Sequence, residues 1–138
     1  MRRGSGFSLI ELVTVLVIAA ILAAIAVPLF NQRDVDATWF HEEVKSAVRY
    51  AQRQAVAQRR AVFVIVTANT VKLCYDAPCS FALTRIASGA PYSLAAPAGV
   101  VLTPVVFSYN GLGQPSAATV FTVAGKPIQV LAETGYVP

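Results

Sequence analysis

The sequence predicts an α+β chain: a long apolar amino-terminal helix continuing into a second helix, which packs on a carboxy-terminal antiparallel sheet. Three observations carry this. From Leu12 to Phe30 there is no charged side chain. Residues 33 to 60 repeat apolar side chains at helical spacing. After Arg60 come short β-rich segments separated by turn residues.

The first element is the stretch "RRGSGFSLIELVTVLVIAAILAAIAVPLF", residues 2 to 30. At about 1.5 Å per residue, an apolar helix of this length crosses a bilayer core of roughly 30 Å. It contributes heavily to a composition of 56% hydrophobic and 13% charged residues, more apolar than an ordinary soluble domain. Arg2 and Arg3 precede the run and should keep the amino terminus in the cytoplasm, with everything after Phe30 outside the inner membrane. Unlike a secretory signal, the small residues "GSG" lie before the apolar run. Cutting there leaves the membrane helix on the mature protein. Pro28 removes a backbone donor near the end of the run and should bend the helix.

In the second element Ala37, Phe40, Val44, Ala47, Val48, Ala51 and Ala55 form the stripe facing the sheet. Roughly opposite lie Lys45, Arg49, Arg53 and Arg60, with Glu42 among them. Regularly spaced cations match phosphates, but such a run also reads as a solvated face, offset here by Glu42 and Lys45 at i, i+3. The net charge of +4 includes Arg2 and Arg3, so totals give no argument for nucleic acid. Val35 and Trp39 point away from the stripe, toward solvent or a neighbouring subunit.

The β-rich remainder reads as "AVFVIVT" and "TVKLCY" in a hairpin through Ala68 and Asn69, then "SFALTRI", "VVLTPVVFSY", "ATVFTVA" and "PIQVLAE" as strands. "ASGAPYSLAAPAG" reads as a loop and "NGLGQPS" as a turn-rich link. Cys74 and Cys79 flank Asp76 and Pro78, which favour a turn. They form a disulfide in an oxidising compartment, or remain two thiols in a reducing one. No enzyme, metal or cofactor is expected. His41 is the lone histidine and has no evident partner, adjacent Glu42 and Glu43 diverge on a helix, and "NGLGQPSAA" lacks the Lys-Ser/Thr of a phosphate loop.

"GFSLIEL" resembles the processing and methylation motif of type IV prepilins and type II secretion pseudopilins. The resemblance implies a leader of residues 1–6, cleavage by a prepilin peptidase between Gly6 and Phe7, and methylation of the new Phe7 amine. It matches Glu11 to the family's glutamate and Pro28 to its helix-kinking proline, with a membrane helix over 7–30 and a periplasmic globular domain over 31–138, helix 33–60 then sheet 61–138. A carboxylate in hydrocarbon costs several kcal/mol unless neutralised. Glu11 is then either a registration device that meets the Phe7 amine of a neighbouring subunit, or a charge that reaches the cytoplasmic interface.

"SAVRYAQRQAVAQRRAVFVIV", "VFSYNGLGQPSAATVFTV" and "IQVLAETGYV" resemble the GspH/FimT group of minor pilins and pseudopilins, and "FHEEVKSAVRYAQRQAVA" is similar to minor pilins of mannose-sensitive haemagglutinin-type (MSHA) pili. The resemblance implies a type IV pilin-like fold and a structural subunit that initiates or caps a type IV pilus or type II secretion pseudopilus. Its implied partners are other pilins or pseudopilins, the peptidase and an inner-membrane assembly platform. The alternative is a pilus-tip module binding DNA or a surface ligand, and a third reading is a plain bitopic membrane protein. Some FimT-like members bind DNA through a basic carboxy-terminal loop, whereas the last 50 residues here hold one basic residue, Lys126, so nucleic acid is not expected as a partner.

Overall fold

The structure, a computed structural model, describes residues 8–26 and 32–138. The chain divides into two compact units, Met1–Gln32 and Arg33–Pro138.

In the first unit α1 runs over Leu9–Ala26, 18 residues with Glu11 in its first turn. Its first backbone bond joins Leu12 N–H to the Ser8 carbonyl at 3.1 Å. The Thr14 hydroxyl donates back to the Ile10 carbonyl, so this polar group is satisfied within the helix. Leu9, Ile10, Val13, Leu16, Val17 and Ile21 are all exposed, so no single face is reserved for a core. Among the described residues no helix is long and apolar enough to cross a membrane. The expected span of 7–30 includes residues outside those described, Phe7 and Pro28 among them.

α2 covers Gln32–Gln58, all but its first residue in the second unit. It buries Phe40, Val44, Ala47, Val48, Ala51 and Ala55, the stripe expected from the sequence, with Ala37 partly buried beside them. The helix ends two residues before the expected Arg60. Arg59 takes a left-handed conformation (φ 50°), its N–H donates to the Val56 carbonyl at 3.3 Å, and Arg60 N–H reaches the Ala55 carbonyl at 3.2 Å. This pair of bonds closes the helix as a Schellman turn. The position usually belongs to glycine, and an arginine there gives no sequence signal for the stop.

Four strands form one antiparallel sheet in the order β3-β2-β1-β4: β1 is Val62–Val66, β2 Thr70–Cys74, β3 Ser93–Ala95 and β4 Val105–Tyr109. A second sheet pairs β5, Thr119–Val123, with β6, Lys126–Val130, through a turn at Ala124 and Gly125 with positive φ at both residues. That is the turn whose twist suits a two-residue hairpin. Val62, Val64 and Val66 of β1 point inward and join Leu73, Phe107, Tyr109, Phe121, Ile128 and Val130 in one core with the α2 stripe.

Two expected strand assignments are corrected. "SFALTRI" makes only isolated bridges, Cys74 to Ala82 and Thr84 to Pro91, while the edge position beside β2 is taken by β3 from the stretch read as a loop. The Cys74–Cys79 turn folds the chain sharply after β2, and that edge goes to the returning segment. "VVLTPVVFSY" is divided. Thr103 N–H bonds to the Thr122 carbonyl of β5, whereas β4 begins only after Pro104 and pairs with β1. Proline has no N–H for a ladder, so the segment changes sheets there.

Candidate functional site

Of the residues singled out from the sequence, Gly6, Phe7 and Pro28 lie outside the described residues. Glu11 is exposed in the first turn of α1, three residues after Ser8, a spacing that suits a carboxylate near the positive end of the helix dipole. It makes no ion pair among the described residues.

Cys74 and Cys79 are joined, their Cα atoms 5.2 Å apart. Asp76 organises the loop they close. Its carboxylate accepts from Ser80 N–H and Phe81 N–H, each at 2.9 Å. The Phe81 bond holds this carboxyl below its ordinary range, desolvation works against it, and the Ser80 bonds add to the lowering.

The four cations opposite the α2 stripe do not form one track. Lys45 is half-buried and lies 3.4 Å from Glu42. Arg49 donates from Nε to the Val137 carbonyl at 3.1 Å, holding the end of the chain. Arg53 is exposed on α2. Arg60 lies past the helix and places its guanidinium 3.7 Å from the centre of the Tyr75 ring. Three of the four are thus engaged in internal contacts, so the regular phosphate-matching spacing is lost. His41 lies 3.4 Å from Glu42 and 3.5 Å from the Pro127 carbonyl. Burial raises the Glu42 carboxyl, but the Lys45 charge and hydrogen bond, with His41 beside it, bring it below the usual value.

The sequence did not reveal what ties α2 to the end of the chain. Gln52 Nε2 donates to the Thr134 carbonyl at 2.7 Å and to the Gly113 carbonyl at 2.9 Å. The buried Tyr109 hydroxyl donates to the Gly135 carbonyl at 3.1 Å, and burial pushes its pKa far up. A Cβ on Gly135 would lie 2.4 Å from the Gly113 carbonyl oxygen, so only glycine fits. Gly111 is equally constrained, because a Cβ there would lie 2.9 Å from the Arg59 backbone. The glycine pattern in "NGLGQPS" and "ETGYV" was the available signal, but which backbone each glycine approaches is a tertiary fact.

A further side-chain cluster lies beside β3. Tyr50 and Tyr92 stack with centroids 5.3 Å apart, and the Arg85 guanidinium lies 4.8 Å from the Tyr92 ring centre. Among the described residues no group of three or more His, Cys, Asp or Glu side chains could hold a metal ion.

Comparison with known proteins gives two findings. The prokaryotic N-terminal methylation motif matches residues 1–27. Two crystal forms of the type IV minor pilin FimU of Pseudomonas aeruginosa strain PAO1 are similar in structure. The P21 form is 18% identical, covering 78% of this chain and 87% of that one, with a TM-score of 0.56. The P65 form is 17% identical, covering 76% of this chain and 90% of that one, with a TM-score of 0.55. At these identities the likeness is one of fold. No curated protein matches the chain.

Proposed function

We propose that this chain, type IV minor pilin-like in its amino-terminal motif and its fold, is a structural subunit of a pilus-type filament, held in the inner membrane before assembly. The observation that carries the reading is α1. A helix with large apolar side chains on every side needs an apolar surrounding. A bilayer supplies it before assembly, and the helices of neighbouring subunits supply it afterwards. The methylation motif over residues 1–27 supports the same order of events, since processing by a prepilin peptidase leaves such a helix at the new terminus.

In this reading cleavage between Gly6 and Phe7 creates an amine next to the apolar helix. An unpaired amine and an unpaired carboxylate are each costly in a low-dielectric surrounding, and together they offset part of that cost. Glu11 then serves as the mark against which the Phe7 amine of an incoming subunit is set, fixing axial register. Pro28 loosens the helix where the chain leaves the membrane. The subunit acts at the start or the cap of a type IV pilus or of a secretion pseudopilus.

Mass spectrometry of the mature protein tests the premise. The expected terminus is Phe7 carrying one methyl group. A product that retains Met1 to Gly6 in cells with an active prepilin peptidase would overturn the reading.

A further inference from the structure

A hollow of about 290 Å³ opens beside β3, lined by side chains from three parts of the second unit. That volume lies at the low end for small-molecule sites. Glu43 and Tyr50 reach it from α2, where a spacing of about two turns puts them on one side of the helix. Leu94 comes from β3 and Tyr92 from just before it. Arg85 and Ile86 come from the turn that precedes them. There Arg85 N–H donates to the Ala90 carbonyl and Gly89 N–H to the Arg85 carbonyl, each at 2.8 Å, with Gly89 at a φ of 67°. This closed turn fixes where Arg85 stands.

The hollow holds two opposite charges that do not pair. Among the described residues neither Glu43 nor Arg85 makes an ion pair, and no cation stands three or four residues from Glu43 on α2. Arg85 Nη2 donates to the Ser93 carbonyl at 2.9 Å, while the buried Nε has no partner among the described residues. A guanidinium carries more N–H donors than the fold uses here. The stack of Tyr92 on Tyr50 holds this cation in place, its centre 4.8 Å from the Tyr92 ring. Burial raises the pKa of the Tyr92 hydroxyl, Arg85 works against that rise and Glu43 adds to it, so both charges are felt at one point. Ile86 is 84% exposed, and Leu94 supplies a buried apolar wall.

These features select a ligand. A simple anion is repelled by Glu43 and a simple cation by Arg85, so neither gains from the whole hollow. A zwitterion gains from both. We infer that the hollow binds one α-amino acid with an aliphatic side chain. Its carboxylate accepts from the Arg85 guanidinium, its ammonium donates to the Glu43 carboxylate, and its side chain covers Ile86 and Leu94. Every contact lies within the second unit, so binding depends neither on processing at Phe7 nor on filament assembly.

Calorimetric titration of the full chain in detergent with L-leucine is the test, at about pH 6, where the ligand's amine is charged. Leucine methyl ester lacks the carboxylate charge, and N-acetylleucine lacks the ammonium. Each should bind at least about tenfold more weakly than leucine, the loss expected for one charge-assisted hydrogen bond. Two substitutions assign the groups. In Arg85→Gln, leucine and its ester should bind alike and weakly, because the ester lacks only the group that the variant no longer holds. In Glu43→Gln, leucine and N-acetylleucine should bind alike for the same reason. Glu43 is exposed on α2 and takes no part in the core, so this variant folds even if the turn before β3 is disturbed in the other. A purely structural role for either residue would weaken all three ligands together and leave their ratios unchanged. Such unchanged ratios, no saturation by leucine up to about 10 mM, or tighter binding of an uncharged methyl glucoside would each overturn the site.

Discussion

The two helices of this chain differ in what stabilises them. α2 divides its surface into Phe40, Val44, Ala47, Val48, Ala51 and Ala55, which are buried, and a polar remainder. Its partner is the sheet, folded from the same chain. α1 makes no such division: Leu9, Leu12, Leu16, Ile18 and Leu22 all stay exposed. A helix of α1's composition forms readily, and its surface is not divided into a core face and a polar face. The difference separates what belongs to folding from what belongs to assembly. Substitutions in the second unit should be read in stability, and those in α1 in filament formation.

The largest effect should come from Glu11→Ala. It removes a charge from the head of an apolar helix, so insertion should be no worse and cleavage should continue. Assembly should fail, because the partner amine then enters the helix bundle unpaired. Crosslinking to filament neighbours, with membrane fractionation as control, measures both. Normal crosslinking would show that the carboxylate is only an interfacial charge.

Next in size is a pair of identical truncations. Leu73→Ala opens the core beneath β2, where the side chain is fully buried, and should cost about 2–5 kcal/mol in denaturant unfolding of the full chain in detergent. Leu16→Ala on α1 should change the unfolding of the second unit by less than about 0.5 kcal/mol. Equal losses from the two would erase the distinction between the helices.

The smallest effect concerns acid. Asp76 has a carboxyl pKa lowered from 3.8 in the fold, chiefly by the Phe81 N–H. A lowered folded value contributes stability that is present above the unfolded value and is lost as pH falls through the folded one. Stability of the second unit should therefore decline below about pH 4, and Asp76→Asn should flatten that decline. The unfolding midpoint followed against pH gives the answer, and an unchanged slope would remove Asp76 from the account.

Much of this was legible because it is local. The apolar stripe of α2 follows from spacing alone, and every one of its fully buried positions falls where the repeat places it. The uncharged run after Glu11 and the "GFSLIEL" motif are contiguous, so no fold is needed to see them. The hairpin between β1 and β2 sits on the two residues, Ala68 and Asn69, where the alternation pauses. The Cys74–Cys79 bridge was readable only as one of two possibilities, because spacing permits closure without requiring it.

What the sequence by itself determined, then, is periodicity and the order of elements: an apolar helix, an amphipathic helix, then strands. Tertiary structure alone decided which segments compete for the same edge and which backbones come close. β3 pairs with Thr70 to Lys72 of β2 and "SFALTRI" keeps only a bridge from Ala82 to Cys74, because strand pairing depends on the path of the chain after the disulfide turn, not on the β-propensity of either segment. Arg59 ended α2 in a conformation that its residue type does not announce, and Gly111 is glycine because that turn lies against it. The hollow lined by Val56, Arg59, Gly111 and Leu112 exists only where Leu112 is brought beside the end of α2 from more than fifty residues away, and no local pattern records a contact of that range.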